Sequence, residues 1–169
     1  MTNVAIILIL IISVITDVRH RKILNLVTLP AILLAFIYHS FVSGLEGFLY
    51  SGEGFLVGLG LLIIPFVLGG IGAGDVKLLA AIGAWKGTTF IFYTGIYAGL
   101  LGGLIAIVLL LKRKELSYTI KQMLFSAVVL KSTNGSLLVN DEMPRALSLP
   151  YAVPIALGVL ATFLLEMFR

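Results

Sequence analysis

Cysteine is absent from this chain, which excludes disulfide frameworks, thiol nucleophiles and cysteine-ligated zinc. Charge is scarce. Asp, Glu, Lys and Arg make up 12% of the 169 residues, about half the share found in soluble domains, and only two histidines are present. Metal chemistry would have to rest on carboxylates and those histidines. Hydrophobic residues reach 60% and the mean hydropathy is +1.13, so folding in water is excluded. No basic residue precedes the first apolar run in MTNVAIILILIISVITDVRHRK, and no small-residue cleavage site follows it. The run is therefore expected to remain as a membrane span and not to leave as a signal peptide.

Apolar runs lie at about residues 4–16, 24–42, 54–68, 76–85, 89–111 and 149–168, separated by glycine, proline or charged residues. This pattern predicts an all-α, polytopic membrane protein of about six transmembrane helices, forming one domain over residues 1–169. The first and fourth runs hold roughly 10 to 15 residues, or about 15 to 23 Å, against a hydrocarbon core of about 30 Å. Both are expected to be short helices that end inside the membrane.

Arg19, Arg21, Lys22, Lys77, Lys112, Arg113, Lys114, Lys121, Lys131 and Arg145 sort to one side of such a bundle, and Lys86 and Arg169 to the other. Basic residues near span ends are retained in the cytoplasm, so both termini are expected outside, with the loops after spans one, three and five inside. Ser51 then belongs to an outer loop. The net charge of +4 reads as this topology signal and predicts no nucleic-acid partner. In the longest polar stretch, residues 112–148, Leu116, Ile120, Met123, Leu124, Ala127 and Val128 recur at helical spacing. They predict a helix lying on the cytoplasmic lipid surface. Gly95, Gly99 and Gly103 form a small-residue stripe expected to serve close helix packing. The glycine string from Gly52 to Gly58 enters a span with no strand before it, so it is not a nucleotide motif.

The eight acidic residues separate by position once this topology is drawn. Glu46, Glu53 and Glu166 fall outside, and Glu115, Asp141 and Glu142 fall in the large inner loop. Asp17 and Asp75 remain, at the cytoplasmic ends of the two short runs, where carboxylates are costly and usually line functional cavities. Each also has a plain structural reading. Asp75 can cap the helix that follows it, and Asp17 can be a solvated charge beside Arg19 and Arg21, although its charge would oppose the dipole of a helix ending there. Taken together they form the arrangement of a proton-sharing dyad, in which two close carboxyl groups cannot both ionise cheaply. Gly72 and Gly74 would allow a substrate backbone to approach beside Asp75. Lys77 either hydrogen-bonds substrate or marks topology. His20 and His39 lack metal-ligand spacing.

The segment Gly72-Ala73-Gly74-Asp75, continued by Val76-Lys77-Leu78-Leu79-Ala80-Ala81-Ile82-Gly83-Ala84-Trp85, resembles the GxGD motif of type IV prepilin peptidases. Asp17-Val18-Arg19-His20-Arg21-Lys22-Ile23-Leu24-Asn25 is similar to that family's first aspartate segment, with Leu24 where proline is usual. Leu149-Pro150-Tyr151-Ala152-Val153-Pro154-Ile155-Ala156-Leu157-Gly158 is similar to its last span. The resemblance implies a membrane-embedded aspartic endopeptidase with Asp17 and Asp75 catalytic, related to presenilin-type proteases. It also implies a prepilin-like or preflagellin-like precursor as substrate, membrane lipid as surroundings, and the cytoplasmic membrane of a prokaryote as location. No metal or organic cofactor is expected. Larger relatives insert a cytoplasmic, often four-cysteine segment between their first two spans and also methylate the new N-terminus. This chain has a short basic turn there and looks like the compact peptidases of tight-adherence pilus systems. Rival readings are a small ion-coupled transporter or channel with Asp75 as a cation site, and a noncatalytic assembly subunit.

Overall fold

A chain surrounded by hydrocarbon must satisfy its backbone internally, and helices do so within a single segment. The computed structural model describes residues 2–68, 70–113 and 150–168, and every regular element among them is a helix: α1 (Thr2–His20), α2 (Asn25–Val67), α3 (Ala73–Arg113) and α4 (Ala152–Phe168). The interfacial helix expected within 112–148 lies outside the described residues. Helices α1 and α2, and α3 over Ala73–Val108, are long and apolar enough to cross a membrane. Large apolar side chains point outward all along them, among them Ile7, Ile11, Leu33, Leu56 and Leu100. In water such a surface would drive association; facing lipid it costs nothing.

Helix α1 is longer than its apolar run. Its 19 residues reach about 28 Å and continue through Asp17 to Arg19 and His20, and the Arg19 charge suits the negative end of the helix. Polar residues end the apolar run without ending the helix. This corrects the expectation of a short first helix: Asp17 lies within α1, on the buried face that also carries Ile6, Ile9, Leu10 and Ser13. The helix stops at Arg21, whose φ of 52° is left-handed and whose amide donates to the Asp17 carbonyl oxygen at 2.8 Å. For a residue with a side chain that conformation costs about 1 to 2 kcal/mol. Leu24, standing where proline is usual, has φ −75° and ψ 128°. This is a backbone shape that proline would also hold, so the turn into α2 does not depend on the ring.

Two helices double back on themselves. In α2 the backbone leaves helical geometry at Ser43 and at Gly44, where φ is 59°. The Ser51 hydroxyl then donates to the Ala35 carbonyl at 3.3 Å and the Ala84 carbonyl at 3.0 Å. Sixteen residues of straight helix would hold positions 35 and 51 about 24 Å apart, so the chain has reversed between them. Helix α3 breaks in the same way at Gly87, φ 80°, which brings Ile91 against Gly83. Ser51, expected in an outer loop, is instead fully buried, because its hydroxyl ties these two hairpins together.

The hairpins meet through glycine. Gly54 and Gly83 touch backbone to backbone, so that a β-carbon on either would overlap the other's carbonyl, and Gly58 lies against the Leu79 carbonyl. The first half of α3 fills the centre of the bundle, with Leu78, Leu79 and Ile82 fully buried. The stripe at 95, 99 and 103 is used only in part. Gly95 packs on Leu61, whereas Gly99 and Gly103 have open space beside them among the described residues; the close contact in that stretch is made by Gly102, one position out of register, against the Tyr151 ring. Helix α4 closes the bundle on α3, with Gly158 seated on the Thr94 carbonyl.

The reversal at Ser43 is exposed and suits a labelling test of orientation. In a chain with no native cysteine, Ser43→Cys should react with a membrane-impermeant thiol reagent on intact cells, and Ser132→Cys only after permeabilisation. The reverse pattern would invert the topology expected from the basic residues.

Candidate active site

Asp17 and Asp75 come from helices separated by a doubled-back α2, and the fold brings them to one cleft. Its volume is about 260 Å³. Both acids are nearly buried, at 6% and 8% exposure. The rest of the wall is Arg21, Lys22 and Ile23 from the turn after α1, and Gly72, Ala73 and Gly74 from the start of α3. Lys77 does not line the cleft.

Each acid is held by the beginning of a helix. Asp75 is the third residue of α3 and not the residue before it, so it does not cap in the simple way its position suggests. Its amide donates to the Gly72 carbonyl oxygen at 3.1 Å, and its Oδ2 accepts from the Gly72 amide at 3.1 Å. This is the returning half of a capping box, with the acid reaching back from the third helical position. Its Oδ1 is buried and has no hydrogen-bond partner among the described residues. Asp17 is held from farther away: its Oδ2 accepts from the amide of Ala152, the first residue of α4, at 3.0 Å. Two carboxyl groups that share a cleft and are each anchored through Oδ2 can act together on one bound group.

The glycines beside Asp75 have local reasons to be glycine. A β-carbon on Gly74 would lie 2.9 Å from the Ile23 β-carbon, and one on Gly72 would lie 3.1 Å from Asp75 Oδ2. Gly74 thus lets the turn after α1 settle against α3, and both glycines still face the cleft. Lys77 reinforces the same junction. Its Nζ donates to Asn25 Oδ1 at 2.9 Å, linking the first turn of α2 to the first turns of α3. His39 is structural: its Nε2 lies 3.2 Å from the Trp85 carbonyl oxygen, with Tyr38 and Tyr50 packed against its ring. Among the described residues no three His, Asp or Glu side chains gather where they could hold a metal ion.

Sequence reasoning missed Ala152. A backbone amide has no signature of its own, but an indirect signal exists. Residues 149–152, Leu-Pro-Tyr-Ala, contain no Ser, Thr, Asp or Asn to cap the helix that follows, so its first amides need acceptors from elsewhere.

Residues 4–107 match the model of the type IV leader peptidase family, a stretch that contains both acids and more than half of the chain. No curated protein and no solved structure matches the chain.

The contact between Gly74 and Ile23 can be tested apart from any activity. Gly74→Ala should lower stability in detergent by about 1 to 3 kcal/mol through overpacking. Ile23→Ala in the same chain should recover part of that loss, because the two positions touch. Strictly additive losses, read from denaturant unfolding, would show that the two do not press on each other.

Proposed function

The chain belongs to the type IV leader peptidase family, and from that premise we propose that it is an aspartic endopeptidase of the GxGD type. In this reading Asp17 and Asp75 are its catalytic pair, and it removes the leader from prepilin-like or preflagellin-like precursors at the cytoplasmic boundary of the membrane. The supporting observation is the pair of nearly buried carboxyl groups on one cleft, each fixed by a backbone amide. In the chemistry such a pair can perform, one carboxylate takes a proton from water as the water oxygen attacks the scissile carbonyl carbon. The other, protonated, acid donates to the carbonyl oxygen. The tetrahedral intermediate then collapses: the C–N bond breaks, the leaving nitrogen takes the proton the first acid had gained, and the second acid takes its proton back from the hydroxyl as the carbonyl re-forms. Both acids return to their starting states, and neither step calls for a metal or organic cofactor.

We also read the six helical segments delimited by the breaks in α2 and α3 as six spans, with both termini outside the cytoplasmic membrane. Gly72 and Gly74, which border the cleft, leave room there for an extended substrate backbone. Lys77 is engaged with Asn25, so its contribution is to hold the site together. A suitable substrate carries a short basic leader retained in the cytoplasm, followed at once by an apolar helix in the bilayer. The residue before the cut must be free of helical hydrogen bonding, and glycine suits that need best.

Asp17→Asn and Asp75→Asn should each lower leader cleavage by at least about a thousandfold while insertion and expression stay near normal. The double variant should be little worse than either, since the two groups act as a unit. Turnover near that of the wild type in either variant would remove that acid from the mechanism. Cleavage should follow a bell-shaped pH profile, because one acid must be ionised and the other protonated. On the substrate side, replacing the glycine before the cut by valine should block processing, as read by mass spectrometry of the new N-termini. Shortening the leader while keeping a few basic residues should matter less.

A further inference from the structure

Helix α4 lies outside the family-matched stretch, and yet its first amide is a partner of Asp17. Three features make this contact more than a chance neighbour. The first is the state of the helix end: the Val153 amide is taken by the Pro150 carbonyl oxygen at 3.2 Å, and the Tyr151 carbonyl accepts from Ile155 at 3.2 Å, so the turn is formed and the Ala152 amide points out of it to the acid. The second is burial. Ala152 is fully buried and Asp17 nearly so, and an amide-to-carboxylate bond removed from water is strong and directional. The third is that α4 is clamped at both ends. At the cleft end the Tyr151 hydroxyl donates to the Ala98 carbonyl oxygen at 3.4 Å and its ring covers Gly102. At the far end Lys86 pairs with Glu166 at 2.8 Å and sits over the Phe90 and Phe163 rings.

We infer that the start of α4 is a positioning element of the active site: the Ala152 amide orients the Asp17 carboxylate for catalysis, with the positive end of the helix dipole behind it. This rests on the aspartic-peptidase reading above. The bland alternative is that Asp17 merely caps α4 from a neighbouring helix, a service to stability alone.

The two alternatives separate when the amide is removed without changing the side chain. Replacing Ala152 by lactic acid turns its amide into an ester and deletes the N–H. The same exchange at Val153, with 2-hydroxyisovaleric acid, deletes a neighbouring N–H in the same turn that does not reach Asp17. A positioning role predicts that the ester at 152 lowers kcat for leader cleavage about tenfold to a hundredfold with KM within about twofold, whereas the ester at 153 leaves kcat nearly intact at a similar loss of Tm. Equal effects of the two esters on kcat, or no effect at 152, would overturn the proposal. Asp17→Asn, assayed alongside, keeps the two levels apart: its inactivity leaves the aspartic-peptidase reading standing whatever the esters do, and its full activity would remove both. A second measurement does not depend on folding of the ester. Exchange of the Ala152 amide hydrogen should quicken about tenfold in Asp17→Ala; an unchanged rate would also overturn the proposal.

Discussion

Polar groups buried away from water must find partners inside the protein, and the fold is organised around that requirement. Within each helix the backbone is self-sufficient, so the demand concentrates where helices start, stop or break. At the break in α3 the Tyr50 hydroxyl donates to the Lys86 carbonyl at 2.6 Å, and two residues earlier the Ser51 hydroxyl reaches the Ala84 carbonyl. The Trp85 indole donates to the Ala31 carbonyl at 2.9 Å in α2. At the other end of the bundle the arrangement is reversed. There the helix starts supply the donors, and two acidic side chains supply the acceptors.

Reaching those positions requires close approach. Gly54 and Gly83 let the two hairpins touch at the backbone, which places the first half of α3, with Asp75 in its first turn, at the centre of the bundle. Gly74 does the same on a smaller scale for the turn that follows Asp17. That turn is held from three directions: by the left-handed Arg21, by the contact of Ile23 with Gly74, and by the hydrogen bond from Lys77 to Asn25. Strain at Arg21 is the kind that persists only where the surroundings over-determine the backbone.

Much of this was legible in the residues alone. Asp17 and Asp75 stood out because acids in apolar runs are expensive, and the breaks at Gly44 and Gly87 fall between apolar runs. What periodicity could not show was continuity through polar residues: α1 runs past the end of its hydropathy signal, so Asp17 is inside a helix, and α3 starts two residues before Asp75. Nor could it assign faces by spacing alone. Ser51 is polar yet buried, because carbonyls from two other segments meet its hydroxyl, and among the described residues two of the three glycines at 95, 99 and 103 pack against nothing within reach while Gly102 carries the contact. The start of α4 was the least legible part, since its partner lies 135 residues away along the chain.

That separation has a consequence for biogenesis. A ribosome makes Asp17 first and the amide that meets it 135 residues later. At a synthesis rate of about 5 to 20 residues per second, roughly 7 to 27 seconds pass in which the acid has been made and its helical partner has not. Over the last 77 residues of that interval, after Asp75 has also been made, the nascent protein carries both acids with Asp17 unanchored. Anchoring of Asp17 is therefore a late event in the making of the site, timed by the arrival of α4.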